Sequence, residues 1–211
     1  MSTLVRKGIG MCGRYAVSTP TEQLATHFNA QMPSEWQPRR NAAPSQNLPV
    51  LLNDGSRRIH LLNWGFVPPW APSTRLINAR AETLTEKPTF RSAFQRRRCL
   101  VLADAFYEWQ AKGKRKQPMR FALSSAAPFA FAGLWEQREE TTAFLIITTT
   151  PNALVAPVHN RMPVILPPEA YAVWLDKTTP IEALQPLLVA FPADQMTCTE
   201  ADSALLRDFT A

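Results

Sequence analysis

Four short clusters bring together side chains that could do chemistry: "MCGR" at 11–14, "INARAET" at 77–83, "FYEW" at 106–109 and "VHNRMP" at 158–163. Cys12 offers a nucleophilic thiol, Glu108 and His159 can carry protons, and Arg14, Arg80 and Arg161 can grip phosphate oxygens with planar forks. A cysteine at a true N-terminus bears a thiol and a free α-amine on adjacent carbons, whereas an internal cysteine has lost its amine to a peptide bond. Where the mature chain begins therefore decides what Cys12 can do. Taken singly, each residue has a plain structural reading. Asn78 suits a turn, Arg80 a solvated surface, Glu108 an exposed strand position, His159 a hydrogen-bonded core position and Cys12 a small buried apolar site.

These clusters need elements to hold them. "STPTEQLATHF" reads as a helix start, with Ser18 or Thr19 as cap, Pro20 in the first turn and Thr19 with Glu22 at capping-box spacing. After the Pro-rich loop from Gln31, the segments "VLL", "IHLLNW", "CLVLADAFYEW", "MRFAL", "FAFAGLW" and "AFLIITTT" have the β-branched and aromatic enrichment of strands. "KPTFRSAFQRR" reads as a helix feeding a strand, and "PPEAYAVWL" and "IEALQPLL" as late helices. Nineteen prolines argue against a helical bundle. The expected fold is a single α+β domain with a mostly antiparallel sheet.

At 211 residues, with 45% hydrophobic and 19% charged residues, the chain can bury one sizeable core. No apolar run is long enough to span a bilayer and residues 1–10 lack the apolar core of a secretory signal, so a cytoplasmic protein without membrane contact is expected. Three widely spaced cysteines favour neither a disulfide framework nor a zinc site, and no metal or organic cofactor is expected. Lys and Arg number 23 against 17 acidic residues, a formal charge of +6 that favours polyanionic partners.

Taken together and in order, the landmarks "MCGRY", "RRNAAPS", "WGFVPPW", "LINARAET", "CLVLADAFYEW", "KQPMRFAL", "GLWE", "FLIITTTPN", "VHNRMPVIL" and "WL" resemble the SRAP (SOS-response-associated peptidase) family, whose members react with abasic sites in DNA. The resemblance implies a barrel-like curved sheet flanked by helices, a catalytic domain over 11–211, and an N-terminal extension over 1–10 that is disordered and either untranslated or removed. It also implies that Cys12 becomes residue one and closes a thiazolidine ring on the aldehyde of an abasic site in single-stranded DNA. An α-amine, with a reference pKa of about 7.7–8.0, is appreciably neutral at physiological pH and can form the imine that the thiol then attacks.

By the same resemblance, Asn78 holds the reacting amine or a sugar oxygen, Glu108 moves protons during ring opening and imine formation, and His159 acts as acid and base toward the deoxyribose. Arg14, Asn41, Arg80 and Arg161 contact the DNA around the lesion, with Trp70 stacking on a base. Trp64 and Phe66 could also stack, although Trp64 in a strand suits the core, and "RRR" at 96–98 could extend a phosphate track. "KGKRK" at 112–116 reads as a solvated hairpin turn at Gly113. A monomer acting near the nucleoid is expected. The closing segment is short, "LLRDFTA", which leaves the last strand without an assured sequence. Two other readings use the same residues: a self-processing cysteine peptidase or amidohydrolase built on Cys12 and His159, and a non-catalytic module binding single-stranded nucleic acid.

Overall fold

In the computed structural model, residues 12–68, 71, 73–138 and 140–206 are described. The chain runs through β1 (Tyr15–Val17), α1 (Thr21–His27), β2 (Arg39–Ala42), β3 (Asn47–Leu52), β4 (Ile59–Trp64), β5 (Asn78–Arg80) and α2 (Pro88–Arg96). It continues through β6 (Arg98–Ala103), β7 (Ala105–Lys112), β8 (Arg115–Leu123), β9 (Phe129–Arg138) and β10 (Thr141–Thr149). The short strands β11 (Met162–Pro163) and β12 (Ile165–Leu166), helices α3 (Tyr171–Leu175) and α4 (Ile181–Leu184), and β13 (Met196–Glu200) complete it.

Strands β10, β4, β3, β6 and β9 close into a barrel, because β9 pairs back onto β10. Only the β4–β10 seam of that ring is parallel. A second sheet, ordered β13-β8-β7-β1-β2, is antiparallel throughout. The expected α+β fold with a mostly antiparallel, barrel-like sheet is the observed one.

Alternation along the strands joins the two layers. Tyr15 and Val17 of β1, Phe106 of β7 and Phe121 of β8 are buried in the main core, while Ala16, Ala105, Tyr107 and Ala122 form a second cluster under Leu206. Tyr15 meets Trp64 edge-on at 5.1 Å and Phe131 at 5.7 Å, tying the outer sheet to the barrel. Trp64 and Phe66 are therefore core residues and not stacking platforms. Inside the barrel Gly133 leaves room for its neighbours: a Cβ there would lie 2.7 Å from Cys99 Sγ and 2.8 Å from Val101 Cγ2.

Three local expectations are corrected. The capping box does not form. The hydroxyls and backbone N–H groups of Ser18 and Thr19 all donate to the Asp104 carboxylate, and α1 starts behind Pro20 without a side-chain cap. That same carboxylate sits where "CLVLADAFYEW" splits into β6 and β7, so the chain leaves the barrel at Asp104 and enters the outer sheet. Of the "RRR" run, Arg98 cannot belong to a phosphate track, because it is fully buried, and Arg97 is paired with Glu136. The Arg98 guanidinium donates to the carbonyls of Phe94 and Gln95 at the end of α2 and of Trp174 and Asp176 at the end of α3. Finally, the last strand is present. β13 pairs antiparallel with β8 from Met196↔Leu123 to Glu200↔Met119. The hairpin at Gly113 is as expected, with φ +60° at the first turn residue, where a type II′ turn favours glycine.

Candidate active site

The β1–β7 register brings Cys12 beside Glu108. Tyr15 faces Phe106, Tyr107 N donates to Arg14 O, and the chain leading into β1 carries Cys12, two residues earlier, to the Glu108 side chain. Cys12 N donates to Glu108 Oε1 at 2.7 Å. In this chain that nitrogen is a peptide N–H, standing where an α-amine would be in a chain beginning at Cys12. Cys12 has φ +41°, a left-handed conformation that costs a non-glycine residue roughly 1–2 kcal/mol.

Strand β10 gathers the remaining residues. It pairs in parallel with β5, aligning Ile146 with Asn78 and Thr148 with Arg80, and pairs antiparallel with β11, aligning Thr149 with Met162. The "INARAET" and "VHNRMP" clusters thus flank one strand. Between β10 and β11, Asn152 Oδ1 accepts from the N–H groups of Leu154 and Val155, and His159 N donates to Val155 O, which fixes the turn that presents His159. His159 Nδ1 lies 4.0 Å from Glu108 Oε1, the oxygen that holds Cys12 N.

Burial sets the electrostatics. Glu108 is 4% exposed, and desolvation pushes its carboxyl up from the usual range; the neighbouring His159 charge and the Cys12 N–H bond oppose that rise. Cys12 is 2% exposed, and its thiol is pushed well up by burial and then by the Glu108 charge. The sulfur is held as S–H, not thiolate. A carboxyl raised in this way holds its proton to higher pH than a solvated glutamate, and the group positioned against it is the Cys12 nitrogen. Burial excludes the reading of Glu108 as a solvated strand residue, while the Cys12 side chain lies in the core as a small buried residue whose backbone nitrogen makes the contact.

The other predicted residues are placed as follows. Asn78 is half-buried on β5 and Arg80 is exposed two residues on. Arg14 Nη1 donates to Asn41 Oδ1 at 2.6 Å and to Leu206 O at 3.2 Å, so these two form one unit on the β1–β2 side; burial lowers the Arg14 guanidinium somewhat. Arg161 is engaged by Glu82 through both terminal nitrogens, at 2.6 and 2.8 Å, and by Thr148 O at 2.6 Å. Trp70 lies outside the described residues. Sequence reasoning missed Glu82 and Asp104. Glu82 stands in the "INARAET" cluster, but nothing in its spacing announces a partner 79 positions away. Among the described residues no group of three or more His, Cys, Asp or Glu could hold a metal, and no helix is long and apolar enough to cross a membrane.

Residues 11–206 match the family model described as SOS response associated peptidase (SRAP). The chain belongs to the SRAP family. This SRAP chain is 42% identical over 208 residues to the abasic site processing protein YoaM of Bacillus subtilis, with 92% of each chain covered. It is 32% identical over 177 residues to the abasic site processing protein YedK of Escherichia coli, covering 78% of this chain and 79% of that one. The abasic site processing protein HMCES of Xenopus tropicalis is 32% identical over 221 residues, covering 79% and 66%. Among solved structures, the SRAP chain superimposes on a phage-related protein from Bordetella bronchiseptica with a TM-score of 0.77 at 30% identity, covering 90% and 94%. A protein from Bacteroides thetaiotaomicron gives a TM-score of 0.82 at 25% identity, covering 91% and 93%.

Proposed function

We propose that this SRAP protein processes abasic sites in single-stranded DNA by crosslinking to them through Cys12, in a form of the chain that begins at that residue. The observation that carries the reading is the 2.7 Å contact of Cys12 N with a buried carboxyl, itself 4.0 Å from an imidazole. The hydrogen bond to the acid–base group is made by the Cys12 nitrogen. The form beginning at Cys12 arises by translation from Met11 followed by removal of that initiator methionine, or by cleavage of the Met11–Cys12 bond in a longer chain. Either route removes the φ torsion that holds Cys12 in its left-handed conformation.

The α-amine, relieved of its extra proton by Glu108, adds to the aldehyde carbon of the opened deoxyribose. Glu108 returns the proton to the carbinolamine hydroxyl, which leaves as water and gives the imine. The thiol adds to the imine carbon, its proton passes to the imine nitrogen, and the five-membered thiazolidine closes with a net loss of one water. Because sulfur and nitrogen share one residue, this last step carries no entropy of association. The imine is also the intermediate from which β-elimination would cut the strand, with His159 as base. Ring closure by sulfur removes that branch. Asn78 orients the amine or a sugar oxygen, Arg14, Asn41 and Arg80 hold flanking phosphates, and Trp70 stacks on a base. A phosphate that reaches Arg161 must displace the Glu82 carboxylate.

One observation favours self-processing as an added activity: Glu108 contacts the nitrogen that would leave if Cys12 Sγ attacked the preceding carbonyl. Protonating that nitrogen would release the amine as a thioester forms, and water would then free Sγ. Neither route needs a metal or organic cofactor.

The test substitutes Cys12→Ser in a chain beginning at residue 12, incubated with an oligonucleotide bearing one abasic site. Serine keeps the amine but not the sulfur. The expected products are an imine trapped by borohydride and increased strand cleavage, with little stable adduct. Stable adduct at the level of the unsubstituted protein would overturn the thiazolidine.

A further inference from the structure

Glu82 has no part in the chemistry above, yet it makes the best-formed ion pair in the site. It follows β5 in a 3₁₀ turn, Ala81–Thr83, and its two oxygens accept from Nη1 and Nη2 of Arg161 at 2.6 and 2.8 Å. The Arg161 side chain is only 12% exposed and Nη2 also reaches Thr148 O, so the fork is closed on three oxygens. The arginine holds the Glu82 carboxyl below the usual range. A bidentate pair of this kind fixes orientation as well as distance.

The backbone of the same arginine meets His159. Arg161 N lies 3.1 Å from His159 Nδ1 and Arg161 O lies 3.1 Å from the same atom. A donor and an acceptor from one residue therefore both face Nδ1. When Nδ1 is bare it accepts from the Arg161 N–H, and when it bears a proton it donates to the Arg161 carbonyl. The ring keeps a hydrogen bond in both states without rotating. The groups around this ring are Glu108 from β7, Cys12 at the approach to β1, and Arg161 with Glu82 behind it. A histidine that must take and return protons needs such a partner, since a ring that turned to find a new one would leave Glu108.

We propose that Glu82 is a positioning residue for His159: by gripping the Arg161 guanidinium it holds the Arg161 backbone against Nδ1 and keeps the imidazole aimed at Glu108. Glu82 touches neither Cys12 nor the imidazole and acts only through Arg161. Its effect on DNA chemistry rests on the abasic-site reading, whereas its effect on the imidazole does not.

Two measurements separate them. The chain has three histidines, so the ring nitrogens of His27, His60 and His159 can be resolved by long-range proton–nitrogen NMR and assigned with a His159→Gln variant. In Glu82→Ala the His159 signals are expected to move while those of His27 and His60 stay. At saturating abasic oligonucleotide, which removes any gain in affinity from a freed Arg161, crosslinking should slow roughly tenfold, because small misplacements of an acid–base group cost this much or more. Glu82→Gln keeps one acceptor oxygen and should give smaller changes in the same direction, which guards against an alanine variant that does not fold. His159 signals that coincide with those of the unsubstituted protein would overturn the proposal, as would moved signals with an unchanged crosslinking rate. If unsubstituted protein beginning at Cys12 forms no crosslink while the His159 signals of Glu82→Ala move, the abasic-site reading fails and the positioning of His159 by Glu82 stands.

Discussion

Glu108→Gln separates what the buried carboxyl costs the fold from what it supplies to the reaction. In the folded protein, burial raises the Glu108 carboxyl above its ordinary value, against the partial opposition of His159 and the Cys12 N–H. A raised carboxyl favours folding only while it is protonated. Its stabilising contribution is present at acid pH and is lost as pH climbs through the folded value, so an ionised Glu108 is a net cost at pH 8. Glutamine has nearly the same shape, keeps an oxygen to accept from Cys12 N, and removes the charge. In the chain whose Cys12 nitrogen is a peptide N–H, the variant should thus be more stable than its parent at pH 8, with the difference shrinking toward pH 4, where the unfolded carboxyl is itself largely protonated. Crosslinking should fall by roughly 10²–10⁴, the usual worth of a positioned acid–base group. Urea unfolding at both pH values and single-turnover crosslinking at pH 8 test the pair of effects. Less stability than the parent at pH 8, or an unchanged rate, would refute the assignment of Glu108 as a buried proton carrier.

Other substitutions test the frame that holds this site. Arg98→Met removes the guanidinium that satisfies four carbonyls at the ends of α2 and α3, and should cost about 3–5 kcal/mol in chemical denaturation. Gly133→Ala drives a methyl into Cys99 Sγ and Val101 Cγ2 inside the barrel and should cost about 1–3 kcal/mol; adding Cys99→Ala should recover part of the loss, a coupling read by a double-mutant cycle. In native protein at pH 8, iodoacetamide should label the half-buried Cys198 first, while Cys99, fully buried with its thiol pushed well up, should stay unlabelled until the chain unfolds. Peptide mapping over time reads that order.

The chemistry-bearing residues were legible because their types are scarce and their clusters ordered. Glu108 and His159 are both singled out by the sequence, and the structure brings Glu108 to Cys12 N and His159 to Glu108. The strands of the barrel could be read from their β-branched and aromatic content, but their order could not. The parallel pairing of β10 with β4 and β5 joins segments far apart in the chain, and no local pattern encodes such a partner. Local signals failed where a distant group outbid them. Ser18 and Thr19 carry the signature of a helix cap, yet Asp104, 85 and 86 positions away, takes their donors. Arg98 sits in a run of three arginines that reads as part of a phosphate track. It is buried because two helix ends leave their carbonyls open to it. Glu82 fell to the same limit, since its role exists only through Arg161.

The central claim is that Cys12, as the first residue of the mature chain, becomes covalently bound to an abasic site. Intact mass under denaturing conditions, on untagged protein expressed from the full reading frame, tests it most directly, before and after incubation with a single-stranded oligonucleotide bearing one abasic site. The account predicts a mass beginning at Cys12 that increases by the oligonucleotide less one water. A mass beginning at Cys12 that does not change on incubation would contradict it.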